Sequence, residues 1–191
     1  RTNADGRILR DNVWGSIEED AERRDFTVNA LYYNITDFSV WDMAGGMADI
    51  AKRQLRLIGD PETRYREDPV RMLRAIRFAA KLDFQLEAST AAPVRKLGDL
   101  LDHISSHRLF DEAQKLLASG HAEGVLRLLH EYDLYQHLFP EGGESPESRR
   151  LLTLTAQSTD DRIEEGKSVN PAFFYAALLW ERMQEEYNEL L

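Results

Sequence analysis

Cysteine is absent from all 191 residues, which excludes a disulfide framework, a disulfide-linked partner and any thiolate metal site. Apolar runs are short. The longest, Ala172 to Trp180, falls well below the roughly 20 residues that a membrane-spanning helix needs, so no membrane partner is expected. There is no glycine-rich phosphate loop of the Walker type and no serine-nucleophile elbow. His103, His107, His121, His130 and His137 lack carboxylate or histidine neighbours at ligand spacing and read as surface or satisfied-core residues. Internal repeats and low-complexity tracts are absent as well.

What is present describes a charged chain able to bury a core, with 42% hydrophobic and 30% charged residues. The length allows one large or two small units. The net charge of −10 is unevenly spread. Residues 1–81 hold 14 Lys+Arg and 14 Asp+Glu, which leaves 10 and 20 for residues 82–191. The second part is therefore a poor surface for a phosphate backbone, and any nucleotide site is expected in the first. The opening, Arg1-Thr2-Asn3-Ala4-Asp5-Gly6, has no initiator methionine and reads as a polar loop, so a piece of a longer protein is expected.

Residues 1–15 read as a mobile lead-in. Phe26 to Tyr33 suits a short helix capped by Asp25 or a strand. Asn34-Ile35-Thr36-Asp37 is turn chemistry, Phe38 to Trp41 alternates like an edge strand, and Leu55 to Ile58 reads as a strand ended by Gly59-Asp60-Pro61. These strands are too few to close a sheet alone, and partners are expected upstream of Arg1. From Asp68 onward only helices are expected. The first is capped by Asp68-Pro69 and runs to about Lys81, and others lie near 89–100, 107–119, 121–132 and 147–157. A last helix starts at Asn170-Pro171 with Phe173, Phe174, Ala177, Leu178 and Met183 inward. Pro140 to Pro146 is the clearest loop.

Three constellations could carry chemistry. In Arg23-Arg24-Asp25-Phe26-Thr27-Val28-Asn29-Ala30, two guanidinium groups just before a helix start would suit a triphosphate, and Asp25 and Asn29 would share a helix face. The plain alternative is that Asp25 caps, Asn29 satisfies a turn, and the arginines pair with Glu18, Glu19, Asp20 and Glu22. The acidic Glu18-Glu19-Asp20 itself reads as a solvated helix start rather than a metal site. In Glu67-Asp68-Pro69-Val70-Arg71-Met72-Leu73-Arg74-Ala75-Ile76-Arg77-Phe78, helical spacing gathers Met72, Ile76, Ala79 and Ala80 on an apolar stripe. Arg71, Arg74, Arg77 and Lys81 lie opposite, with Phe78 among them, an aromatic that could stack on a base but is better read as packing against the α/β part. Asp68 and Arg71, three apart, offer an acceptor beside a donor. That order suits the Watson–Crick edge of adenine or cytosine and leaves guanine and uracil unpaired. An ordinary cap with an i,i+3 ion pair is the alternative. Third, the acids and glycines of Asp42-Met43-Ala44-Gly45-Gly46-Met47-Ala48-Asp49 suit a hinge, or a plain turn before a short helix.

In this order the three motifs resemble those of the class II nucleotidyltransferase family, which holds bacterial poly(A) polymerases and CCA-adding enzymes. Residues 23–30 match R-R-D-F-T-x-N-A throughout. Glu67, Asp68, Arg71 and Arg74 match E-D-x-x-R-x-x-R, and Asp42, Gly46 and Asp49 match D-x-x-x-G-x-x-D. The resemblance runs through most of the chain and weakens after Pro140. It is strongest toward the polymerase branch, through Asp11 to Ala21, Ala30 to Asn34, Arg108 to Glu112, Lys115-Leu116-Leu117 and Leu138-Phe139-Pro140.

The resemblance implies an α+β, mostly helical chain: the C-terminal half of a nucleotidyltransferase head over 1–60, a helical neck that selects nucleotide and binds RNA over 61–140, and the start of a helical body over 141–191. It implies that Arg23, Arg24, Asp25 and Asn29 meet the ribose and phosphates of ATP, that Asp68 and Arg71 read the base with Glu67 and Arg74 in support, and that Asp42, Gly46 and Asp49 form the hinge. The implied protein is a cytoplasmic enzyme adding AMP from ATP to an RNA 3′ end. Its Mg²⁺ ligands, an Asp-x-Asp pair, would precede Arg1, leaving this stretch inactive alone. A CCA-adding enzyme, or a non-catalytic helical module with an acidic binding surface, are the alternatives.

Overall fold

A computed structural model of the chain describes residues 15–190. The lead-in expected over residues 1–15 therefore lies outside the described residues except for Gly15, as does the Asp11 to Trp14 part of the polymerase-style run. The first helix, α1 (Ile17–Arg23), follows from a capping box: Ser16 Oγ accepts from the Glu19 amide while the Glu19 carboxylate accepts from the Ser16 amide. Its first turn carries Glu18, Glu19 and Asp20, as the helix dipole favours.

The segment read as helix or strand divides into both. A single 3₁₀ turn, Thr27–Asn29, is followed by β1 (Leu31–Tyr33), which pairs antiparallel with β2 (Val40–Asp42) in the register Leu31 to Asp42 and Tyr33 to Val40. The turn between them is the expected one, with Asn34 and Asp37 accepting from the amides of Thr36 and Ser39. The strand starts two residues later than its alternation suggests, because Phe38 takes a left-handed conformation (φ 59°) and stays exposed. Then come α2 (Gly46–Ala51) and β3 (Gln54–Leu55). The expected strand over 55–58 survives as β3 and one antiparallel bridge, Phe26 to Leu57.

The mainly helical part begins at Pro61, earlier than the expected Asp68, and one short strand interrupts it. Asp60 accepts from the Thr63 amide and starts α3 (Pro61–Glu67) with proline in its first turn. The Asp60-Pro61 pair, read as a strand end, is thus a helix start. α4 (Val70–Leu82) follows and is the centre of the molecule, burying Val70, Met72, Leu73, Ala75, Ile76 and Ala79. β4 (Gln85–Leu86) pairs in parallel with β3. The helix expected over 89–100 is broken near Pro93 into α5 (Ala88–Ala91), α6 (Val94–Leu97) and a 3₁₀ stretch, Gly98–His103.

Three helices lie close to their expected places: α7 (Ser106–Leu117), α8 (Ala122–Glu131) and, after an unexpected single-turn α9 (Tyr135–Leu138), α10 (Pro146–Glu164), which runs seven residues past its expected end. Asn170 caps α11 (Pro171–Leu178), and a break at Leu179 separates it from α12 (Trp180–Glu189). Phe174, Ala177 and Leu178 point inward as expected, whereas Phe173 and Met183 are exposed. One continuous core of buried side chains joins Phe26 and Leu55 through α4, α7 and α8 to Leu152 and Phe174. α4 approaches α8 closely at Gly124, where a Cβ would meet that of Ala80 at 3.5 Å.

Candidate functional site

The first and second motifs, more than forty residues apart in sequence, meet at Asp25. Its backbone is held by pairing with the segment before α3: Ile58 N donates to Asp25 O at 2.8 Å, and Thr27 N to Arg56 O at 3.0 Å. Phe26 is fully buried and meets Phe78 of α4 edge-on, with centroids 5.5 Å apart. Phe78 therefore serves packing, and Arg77 lies over its outer face.

Asp25 is buried and faces three arginines. Arg71 Nε donates to Asp25 Oδ1 at 3.1 Å, Arg74 Nη2 lies 2.6 Å from Oδ2, and Arg64 Nη2 lies 3.9 Å from Oδ1. The Arg74 approach is close but poorly directed, leaving Oδ2 without a well-formed hydrogen bond. A buried carboxylate is tolerable because these cations oppose its charge. Asp25 is thus the hub of an ion cluster, not a helix cap. Only the three-residue 3₁₀ turn follows it, too short to place Asn29 on a shared α-helical face with Asp25.

Arg23 and Arg24 end α1 rather than precede a helix. Arg23 Nε donates to Glu19 O, and Arg24 pairs with Asp20 at 2.8 Å. Both are exposed, and at a helix C-terminus their charge complements the dipole. Asp20, held below the usual carboxylate range chiefly by Arg24, also accepts from Tyr32 Oη. The Arg24 backbone is joined to the cluster, since Arg64 Nη2 donates to its carbonyl at 3.1 Å.

Asp68 and Arg71 do not form the i,i+3 ion pair. Beyond its contact with Asp25, Arg71 donates through Nη1 to Arg64 O at 2.8 Å and, weakly, to Glu67 Oε2 at 3.4 Å. Asp68 lies between α3 and α4, accepts from the Val70 amide at 3.3 Å, and is gripped by Arg108 of α7 at 2.9 Å. Helix α4 opens at Val70, with Pro69 as its cap residue. Guanidinium has five donors. Among the described residues, contacts are found for Arg71 Nε and Nη1 but not for Nη2.

The third motif is tied to the first. The Asp42 carboxylate accepts from the amides of Gly46 (2.8 Å) and Met47 (2.9 Å) at the start of α2. Burial works against its charge, yet these amides with those of Ala44 and Gly45 hold it below the usual carboxylate range. Gly45 turns the chain at φ 80°. Gly46 packs against the Thr27–Asn29 turn so tightly that a Cβ would lie 2.4 Å from Thr27 O. Asp49 is buried and accepts from Thr27 Oγ1 at 2.7 Å and Arg56 Nε at 3.1 Å.

Sequence reasoning missed Arg64, Arg56 and Arg108. Arg64 and Arg56 sit in segments that looked like turn and strand, and no spacing rule links Arg108 to a residue forty positions away. His137 is a similar case: it meets Asp102 at 2.9 Å, a carboxylate partner invisible at local spacing.

Comparison with known proteins gives two family-model matches: "Poly A polymerase head domain" over residues 2–56, and "Probable RNA and SrmB- binding site of polymerase A" over 83–144. Poly(A) polymerase I of Escherichia coli O6:H1 is 52% identical over 182 residues, covering 92% of this chain and 39% of that protein. A CCA-adding enzyme of Bacillus cytotoxicus is 41% identical over 123 residues, covering 64% of this chain and 31% of its own length. A tRNA nucleotidyltransferase solved with a primer tRNA and an incoming ATP analogue superposes with a TM-score of 0.72 at 27% identity, over 86% of this chain and 50% of that one. The chain thus spans about 39% of the length of the first of these relatives.

Proposed function

The chain belongs to the poly(A) polymerase family of nucleotidyltransferases, which the CCA-adding enzymes share, and from that premise we propose that it is the nucleotide-selecting portion of an enzyme adding AMP from ATP to RNA 3′ ends. The observation that carries this reading is the meeting of two distant motifs at Asp25. It joins the head segment to helix α4, which bears Arg71 and directly follows Asp68. The reading divides the labour as head (to residue 60), neck (61–140) and body (141–191).

Adenine presents an amino donor beside a ring-nitrogen acceptor. Asp68 accepts from the first, and Arg71 donates to the second through the Nη2 left over from its contacts with Asp25 and Arg64. Asp25 and Glu67 hold Arg71 in place, and Arg74 pairs with Asp25 from the next turn of α4. Arg23 and Arg24, exposed at the end of α1, and Asn29 face the sugar and phosphates, where the arginines exchange their exposed contacts, including that with Asp20, for contacts to the nucleotide. Such exchange costs little because solvent screens exposed ion pairs. The wrong bases leave Asp68 or Arg71 unpaired in a desolvated site, which is a strong basis for rejection. In the transfer, the RNA 3′-oxygen bonds to the α-phosphorus and pyrophosphate leaves.

The residues described here do not fit Mg²⁺. Asp25 and Asp49 are spent on guanidinium or hydroxyl donors, Asp68 on Arg108 and Asp42 on amides, and no group of three metal-binding side chains occurs among the described residues. On this reading the Mg²⁺ would be held by carboxylates other than those described, and the described residues would need them for transfer.

Calorimetric titration with ATP, CTP, GTP and UTP in Mg²⁺, on the chain and on the full-length protein, tests the assignment. ATP should bind over GTP and UTP, and Asp68→Ala should remove that preference. Equal binding of all four by the full-length protein would refute it. CTP incorporation on tRNA lacking its terminal CCA would instead favour the CCA-adding reading, which the Bacillus cytotoxicus relative keeps in play.

A further inference from the structure

The side chain that holds Asp68 lies in neither nucleotide-binding motif. Arg108 stands near the start of α7, where its amide donates to the cap residue Ser105, and its Nη2 reaches back to within 2.9 Å of both Asp68 oxygens. α7 is a rigid platform, anchored in the core by Ala113, Leu116 and Leu117.

We propose that Arg108 is a positioning residue for nucleotide choice, fixing the Asp68 carboxylate in the orientation that accepts the adenine amino group. The inference rests on the base-reading role of Asp68 proposed above. A carboxylate offers about four acceptor positions. The Val70 amide takes one on Oδ1, and Arg108 bridges the two oxygens. What remains free is chiefly on Oδ2, directed away from α7. Held so, Asp68 offers its anionic oxygen to an N–H and repels a carbonyl, the group guanine or uracil would bring there. Released, it can rotate about its side-chain torsions or admit a bridging water, and a carbonyl-bearing base meets less resistance. Arg108 is half exposed, and an exposed ion pair adds little to folding. Its expected contribution is therefore to selectivity rather than stability.

The test compares kcat and KM for ATP and GTP on an RNA primer, using the full-length protein and its Arg108→Ala, Arg108→Lys, Asp68→Ala and Arg108→Ala/Asp68→Ala variants. Arg108→Ala should lower the ATP-over-GTP ratio of kcat/KM roughly tenfold, the size of one charge-assisted hydrogen bond, with an unchanged melting temperature. Arg108→Lys, keeping charge but losing the fork, should fall between. The double variant should be no less selective than Asp68→Ala alone, because Arg108 acts through Asp68. Full selectivity in Arg108→Ala beside lost selectivity in Asp68→Ala overturns the positioning role alone. Additive losses in the double variant overturn it too. Full selectivity in Asp68→Ala overturns the base reader and this inference together.

Discussion

At the scale of single residues, the geometry of the site is set by how few options a buried polar atom has. Asp25, almost without solvent, must be paired, and three arginines from α3 and α4 converge on it. The same logic joins Asp49 to Thr27 and Arg56. Gly46 has a steric role. Its missing Cβ is what lets α2 touch the Thr27–Asn29 turn, since that atom would lie 2.4 Å from Thr27 O and 2.9 Å from its carbonyl carbon. Both obstructions are backbone and cannot rotate away. Gly46→Ala is therefore expected to cost about 1–3 kcal/mol in urea unfolding, the usual range for overpacking. A variant as stable as the parent would show that the contact yields freely.

At the scale of elements, α4 has two different jobs on its two sides. One buries Met72, Leu73, Ala75, Ile76 and Ala79 against the core, and the other carries Arg71 and Arg74 to Asp25. Position of the arginines thus depends on the apolar side staying packed. Ile76→Ala removes a fully buried side chain and should lower unfolding free energy by about 2–5 kcal/mol, read from the denaturation midpoint at constant slope. A loss below about 1 kcal/mol would mean that α4 is not the packing centre. Helix starts are legible at Asn170-Pro171 and, within a residue or two, at Asp68-Pro69, where a capping residue precedes a periodic run. Asp60-Pro61 has the same chemistry but was masked by Gly59, which suggested a turn. The strands are two or three residues long, shorter than any alternation can establish.

At the scale of the whole molecule, one core runs through a chain whose charge is strongly divided, neutral over residues 1–81 and acidic after. In the acidic part, His130 stacks on Tyr135, with centroids 4.2 Å apart, and is half-buried. Burial, with Arg149 nearby, pushes its pKa down, while Glu144 opposes the shift. Its proton is therefore bound more tightly in the unfolded chain than in the folded one. The stabilisation is present above the ordinary histidine range near 6.5 and is lost as pH falls through it toward the lower folded value. Melting temperature measured from pH 7.5 to 5 should drop, and His130→Gln should make that drop shallower. An identical slope in the variant would rule His130 out as the cause.

Composition, motif order and capping chemistry by themselves determined the family and the predominance of helix. These depend on residue types at short, regular separations, and periodicity and caps act over a few residues. The partners of those residues were decided only by tertiary structure. In the sequence Asp25 has no visible partner beyond the amides a cap would meet, and the fold makes it the hub of an arginine cluster; Asp68 has Arg71 at short spacing, and the fold gives it Arg108 as its ion-pair partner. Charges pair with whatever the fold places within about 4 Å, and residues 40 and 46 positions apart reach that distance only when α4 packs against α7 and the first motif.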